Sequence, residues 1–269
     1  MNDVTASGVA HKAQNSAALQ ALARLGFAVN GLLHILIGFL AISVAIGGAG
    51  GSADQSGALG QLASSPGGLF LLWTVVIGLF ALGLWLLVSA FLMHGADPKR
   101  KWSHRAAEVG KAVAYFFLAG TALTYVRGGA TDSADSASDA SATLLAAPGG
   151  VVILFVVGIG VLAIGAYFVF KGVTKKFTAD LSVPSGPAGK AIIALGTVGY
   201  VAKGVVLGVV AILIAVAAFT LDPSKSTGLD GALKALAALP LGAVILVVIG
   251  IGLVAYGVYC FARAWRARL

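Results

Sequence analysis

A chain of 269 residues with 59% hydrophobic and only 10% charged positions is too apolar for a soluble domain, where about half the residues are apolar and about a quarter charged. A mean hydropathy of +0.97 points the same way, to a polytopic membrane protein. A formal charge of +8 would suggest nucleic acid in a soluble chain. Here the basic residues flank apolar runs, where they set orientation and meet lipid headgroups, so no nucleic-acid partner is expected.

In chain order, residues 1–15 form a polar arm without the apolar core of a signal peptide. Six apolar runs follow, near 25–46, 68–92, 110–126, 149–170, 192–219 and 241–262. Roughly 20 apolar residues cross the hydrocarbon core as a helix, whereas barrel strands are about ten residues long and alternate in polarity. These runs are continuous and punctuated by glycine, which predicts helices. The first span is expected to be retained, since cleaving it would destroy the repeat described next.

Three of the spans are copies of one template. Pro66, Gly68, Gly78, Gly83 and Trp85 stand at the same offsets as Pro148, Gly150, Gly160, Gly165 and Tyr167, and as Pro240, Gly242, Gly252, Gly257 and Tyr259. Matches at fixed offsets mark an internal repeat, and divide one membrane domain into repeats over 16–94, 95–176 and 177–265. Two spans per repeat return the chain to the side it left, so all repeats share one orientation. The expected fold is an all-α bundle of six transmembrane helices, arranged as three parallel two-helix repeats about a pseudo-threefold axis.

Of the 18 Lys and Arg, 14 lie at Lys12 and Arg24 before the first span, in 99–111, in 171–190 and in the tail. The positive-inside rule places those segments and both termini in the cytoplasm, and the chain is expected in a bacterial plasma membrane. Each repeat is expected to open on an amphipathic lead-in lying in the headgroup region: Ser16–Arg24, Trp102–Glu108 and Gly189–Thr197. Outer loops such as Thr131–Asp139 read as flexible solvated chain ending in a short apolar helix, and the three short helices could together roof the outer face. Proline is expected in the first turn of the span that follows. Gly78, Gly83, Gly160, Gly165, Gly252 and Gly257 are expected to pack helices by close backbone approach.

Polar side chains inside the hydrocarbon are the first place to look for function. Asn30 and His34 lie one helical turn apart, Lys203 occupies the slot of Asn30 in the third repeat, and Tyr115 stands one position further in the second. They form a candidate binding cluster near the inner mouth, where Lys203 could hold an anion. The same residues also fit a structural role, with Lys203 reaching to headgroups and His34 and Asn30 bonding between helices. His11, His94 and His104 fall outside the spans, so no haem, metal or other cofactor is expected. Cys260 allows no internal disulfide and reads as a small buried residue. Asp132, Asp135 and Asp139 read as solvated.

The pattern resembles a mainly actinobacterial membrane family known as domain of unknown function 1206. The resemblance rests on Gly199-Tyr200-Val-Ala-Lys203-Gly204, on Gly26-Phe27-Ala-Val-Asn30-Gly31-Leu-Leu-His34, and on the proline-glycine template, and it covers about residues 16–265. It implies the three-repeat topology. In that family a basic residue precedes the glycine and an aromatic often follows three positions later; here Asn30 and Ala114 replace the basic residue, and His34, Leu118 and Leu207 take the aromatic place.

With no catalytic motif in view, no enzyme activity is expected. The leading expectation is an accessory or scaffold subunit of a larger envelope or respiratory membrane complex, in contact with lipids and with that complex. The alternative is a transporter or channel for a small or lipid-like solute, with a path between the three repeats.

Overall fold

The computed structural model describes residues 17–48, 51–92 and 98–267. The expected N-terminal arm, with His11, and His94 lie outside the described residues. Among the described residues nine α-helices follow one another in chain order: α1 (Ala17–Ala45), α2 (Gln55–Ala63), α3 (Gly68–Leu92), α4 (Pro98–Val126), α5 (Ser133–Ala146), α6 (Gly150–Val173), α7 (Pro187–Thr220), α8 (Gly228–Ala237) and α9 (Gly242–Arg266). Each repeat is therefore a long helix, a short helix and a long helix. The six long ones are all apolar and long enough to cross a bilayer, as expected.

The lead-ins are not separate helices. Ala17–Arg24, Trp102–Glu108 and Gly189–Thr197 are the first turns of α1, α4 and α7, continuous with the spans. At 1.5 Å per residue the 34 residues of α7 extend about 50 Å, well beyond a hydrocarbon core of about 30 Å. Nothing breaks the helix there, since Gly and polar residues at a membrane boundary tolerate helical geometry in water.

The stretch around Asp132–Asp139 is also helical, contrary to the solvated loop expected. Asp132 caps α5, its carboxylate accepting from the Ala134 and Asp135 N–H groups at 2.8 and 3.2 Å. The run behind it is rich in alanine, the best helix former, and Asp135 adds a favourable charge in the first turn.

Proline enters not in the first helical turn but two residues before it. In Ser65-Pro66-Gly67-Gly68, Ala147-Pro148-Gly149-Gly150 and Leu239-Pro240-Leu241-Gly242, the fourth N–H donates to the first carbonyl at 2.9, 2.9 and 2.7 Å. The third residue is left-handed each time, with φ of 75°, 73° and 62°. This is a type II turn, which favours proline second and needs a positive φ third. The template glycine that follows is sterically required: a Cβ on Gly68, Gly150 or Gly242 would collide with the Leu62, Leu144 or Ala237 carbonyl at the end of the short helix.

The chain divides into two compact units. The first holds the described residues of Met1–Asn30, Leu62–Gly129 and Cys260–Leu269; the second holds Gly31–Gln61 and Ala130–Tyr259. In the first, α3 packs on α4, and Ala23, Phe27, Leu82, Trp85, Leu86 and Ala112 form a buried core. Gly78 meets Val29 and Gly26, and Gly83 meets the Phe116 ring. At one end Arg24 donates to the Ala264 and Trp265 carbonyls at 3.3 and 2.5 Å.

In the second unit α6 packs on α7, and the starts of α2, α5 and α8 meet. The Ala53 N–H donates to Asp230 at 2.8 Å, Ser56 and Ser133 share a hydroxyl hydrogen bond, and Asp54 caps α2 through the Gly57 N–H at 3.0 Å. Asp230, 3% exposed, is also paired with Lys234 at 2.6 Å.

Candidate ligand-binding site

The second unit places Lys203 between two glycines that decide what surrounds it. A Cβ on Gly199 would stand 2.5 Å from the Tyr256 Cα, and one on Gly204 would stand 2.6 Å from the Gly165 carbonyl oxygen. Only glycine lets the backbones approach this closely. The first contact sets α9 against α7 and delivers the Tyr256 ring; the second sets α6 against α7 and delivers Phe168. His34 is bracketed similarly, because Gly31 and Gly38 on α1 meet Gly257 and Gly250 on α9 at the same kind of distance.

These approaches assemble the site. The Lys203 ammonium lies 4.6 Å from the Tyr256 ring centre and 5.4 Å from that of Phe168, and its Nζ is 3.1 Å from His34 Nε2. The His34 and Tyr256 rings are themselves 4.7 Å apart. As an ammonium Lys203 has donors only, and in that state His34 Nε2 accepts.

A charged lysine in the hydrocarbon is costly. Placing one mid-helix in a bilayer costs about 2.5–3.5 kcal/mol on insertion scales. A desolvated cation–π contact returns about 2 kcal/mol or less per ring, and an intramembrane hydrogen bond about 0.6 kcal/mol. The two sides nearly cancel.

Above the lysine is a cavity of about 150 Å³ lined by His34, Ile37, Gln55, Lys203, Val206, Leu207, Val210, Leu229 and Leu253. Its floor is the Lys203–His34 pair and its walls are aliphatic. Gln55 and Leu229 reach it from the first turns of the short helices α2 and α8. From Lys203 to Val210 is seven residues, about 10 Å along the helix.

Of the four residues singled out from the sequence, the structure brings together His34 and Lys203. Asn30 and Tyr115 belong to the first unit. There the Asn30 amide donates to Cys260 Sγ at 3.5 Å, and Tyr115 packs on the Phe27 and Trp85 core. Tyr256 and Phe168 were not anticipated. Tyr256 stands where the other repeats carry Leu82 and Ile164, and Phe168 where they carry Leu86 and Cys260; departure from the template at those positions is the signal that would have found them. Five of the six template glycines are buried against neighbours, but Gly160 faces open space. Its place in the contact with α7 is taken by Gly158, against Ile214 and Ala211. Among the described residues no group of three or more His, Cys, Asp or Glu could hold a metal ion.

A profile described as Domain of Unknown Function (DUF1206) matches three times, over residues 25–92, 107–175 and 198–267. The chain belongs to that family. It is 32% identical over 247 residues to the uncharacterized protein YxxB of Bacillus subtilis (strain 168), covering 89% of this chain and 88% of that protein. No solved structure matches. Each matched segment runs from one long helix through the short helix to the next, so the family unit is the helix triplet described above.

Proposed function

We propose that this DUF1206 protein is a non-catalytic membrane protein that takes a small solute into the cavity above Lys203 and carries it across the bilayer. On this reading the basic helix ends and both termini are cytoplasmic, the membrane is the bacterial plasma membrane, and the short helices face outward. The observation that carries the reading is the assembly of a charged lysine, His34 and two aromatic rings at the floor of an otherwise aliphatic cavity. A side chain needed only for packing there would be apolar, because an aliphatic one incurs no insertion cost. Proteoliposomes tested by light scattering with equal-sized organic acids, alcohols and amines should pass at least one class faster than empty vesicles. Equal rates for every class would overturn the reading.

One observation favours a second reading, the accessory or scaffold subunit of a larger membrane complex. Only 17% of the most apolar window of α6 is buried, and Gly160 leaves a small-residue surface on it with nothing within 4 Å. Such surfaces let a second helix approach closely. A photocrosslinker at Val156 should then capture a protein in native membranes; capture of lipid alone would count against association.

A further inference from the structure

The cavity has a polarity along its length that restricts what it can hold. Its floor is cationic, its walls are Ile37, Val206, Leu207, Val210 and Leu253, and a single neutral amide, Gln55, stands toward its other end. None of the helices that contribute to it below the short helices, α1, α7 and α9, contains an Asp or Glu. The same is true of α6, which supplies Phe168.

The lysine end of the cavity disfavours a cationic ligand, and the buried carboxylates Asp54 and Asp230 stand beside Gln55 and Leu229 at the other end. The two aromatic faces that would recognise a cation already hold the Lys203 ammonium, and a second cation in an aliphatic cavity would meet like-charge repulsion at low effective dielectric. A carboxylate accepts from that ammonium in a charge-assisted hydrogen bond, and its apolar body meets the aliphatic walls. Size sets the rest: an apolar cavity of about 150 Å³ holds a molecule of benzene size.

We infer that the Lys203–His34 floor and the aliphatic walls above it form a binding site for a small monocarboxylate whose apolar body is about six carbons. The carboxylate lies on Lys203 Nζ, with the body directed along α7 toward Val210. This deepens the solute-carrying proposal and rests on it. His34 acts as a positioning residue, holding the ammonium at 3.1 Å from its Nε2.

The test uses the full chain in detergent and measures binding of hexanoate, hexanamide and hexylammonium by calorimetry. Hexanoate should bind at least tenfold more tightly than the other two, and benzoate should compete with it. Lys203→Met should weaken hexanoate at least tenfold, and hexanamide far less. That variant is expected to insert and fold, because it removes a charge from the membrane. Val210→Phe, which fills the cavity away from the charge, should weaken hexanoate as well. Equal binding of hexanoate by wild type and Lys203→Met overturns the assignment, as does palmitate binding as tightly as hexanoate. If hexanamide or hexylammonium binds in place of hexanoate, the carboxylate falls while the solute-carrying reading stands. If none of the three binds and vesicle permeation is unchanged, both fall.

Discussion

Leu241 holds a backbone conformation that an L-residue adopts at a cost. At φ 62° it stands third in a type II turn, where the equivalent residues in the other repeats are Gly67 and Gly149. The left-handed region costs a residue with a Cβ about 1–2 kcal/mol. Replacing it with glycine removes that cost but restores unfolded-state freedom worth about 0.5–1 kcal/mol. Leu241 is 78% exposed, so its trimming forfeits little packing. Leu241→Gly should therefore stabilise the chain by about 0.5–1 kcal/mol. On the scale of soluble proteins of about 150–250 residues, that raises the melting temperature by roughly 1–4 °C. The assay is thermal unfolding in one detergent, followed by circular dichroism, beside Leu239→Gly. Leu239 is a half-exposed neighbour outside the left-handed region, and its variant should lose stability. If Leu241→Gly loses as much as Leu239→Gly, the reasoning about the turn is refuted.

The glycines that seat the site should respond oppositely to the one left in the open. Gly199→Ala places a Cβ against Tyr256 backbone and should cost about 1–3 kcal/mol, as overpacking does. Gly160→Ala should be neutral or gain up to about 1 kcal/mol from helix propensity, and the two are compared by unfolding in detergent. In the roof, Asp230→Ala removes the acceptor of the buried Ala53 N–H and should cost about 1–3 kcal/mol. Lys234→Ala leaves the buried Asp230 carboxylate without its cation and should cost about 1 kcal/mol or more. The Asp230 hydrogen bond holds the Lys234 ammonium above its ordinary 10.5, against a smaller opposing effect of burial. A raised folded value means that the contribution of the pair is complete below the unfolded pKa and is lost as pH rises through the folded one. Wild type should thus lose a small stability increment above about pH 10.5 that Lys234→Met does not lose; identical alkaline profiles would contradict this.

The six spans and the three repeats were legible because apolar length and glycine spacing are properties of the chain itself. The short helices meeting at the roof were legible too, from the matched Ala58, Leu59 and Leu62 against Ala232, Leu233 and Leu236. The proline corner was misread as a first helical turn. Its deciding residue is glycine in two repeats and leucine in the third, so composition alone hides the shared φ. The lead-ins looked separate because their charge differs from that of the spans, although backbone geometry runs through them unchanged. In the site, Lys203 and His34 stood out as polar residues in apolar surroundings, but the same criterion also selected Asn30 and Tyr115. Equivalent slots in a repeat share a helix position, not a neighbour, and neighbours are chosen by which glycines meet. Gly160 makes the same point from the opposite side, since its template position says nothing of whether another helix passes there.

The two ends of α8 are held differently. At its C-terminal end a four-residue corner of fixed hydrogen bonding joins it to α9, while seven residues, with a short 3₁₀ turn at Pro223–Lys225, separate it from α7. Leu229, which reaches the cavity, lies at the loosely joined end, one residue before the Asp230 that bonds to Ala53. The tip of α8 is tied to Ala53 through Asp230, and its apolar face is buried through Ala232, Leu233 and Leu236. Under the solute-carrying proposal, entry past Leu229 would break the Asp230–Ala53 hydrogen bond, so Asp230→Ala should speed it.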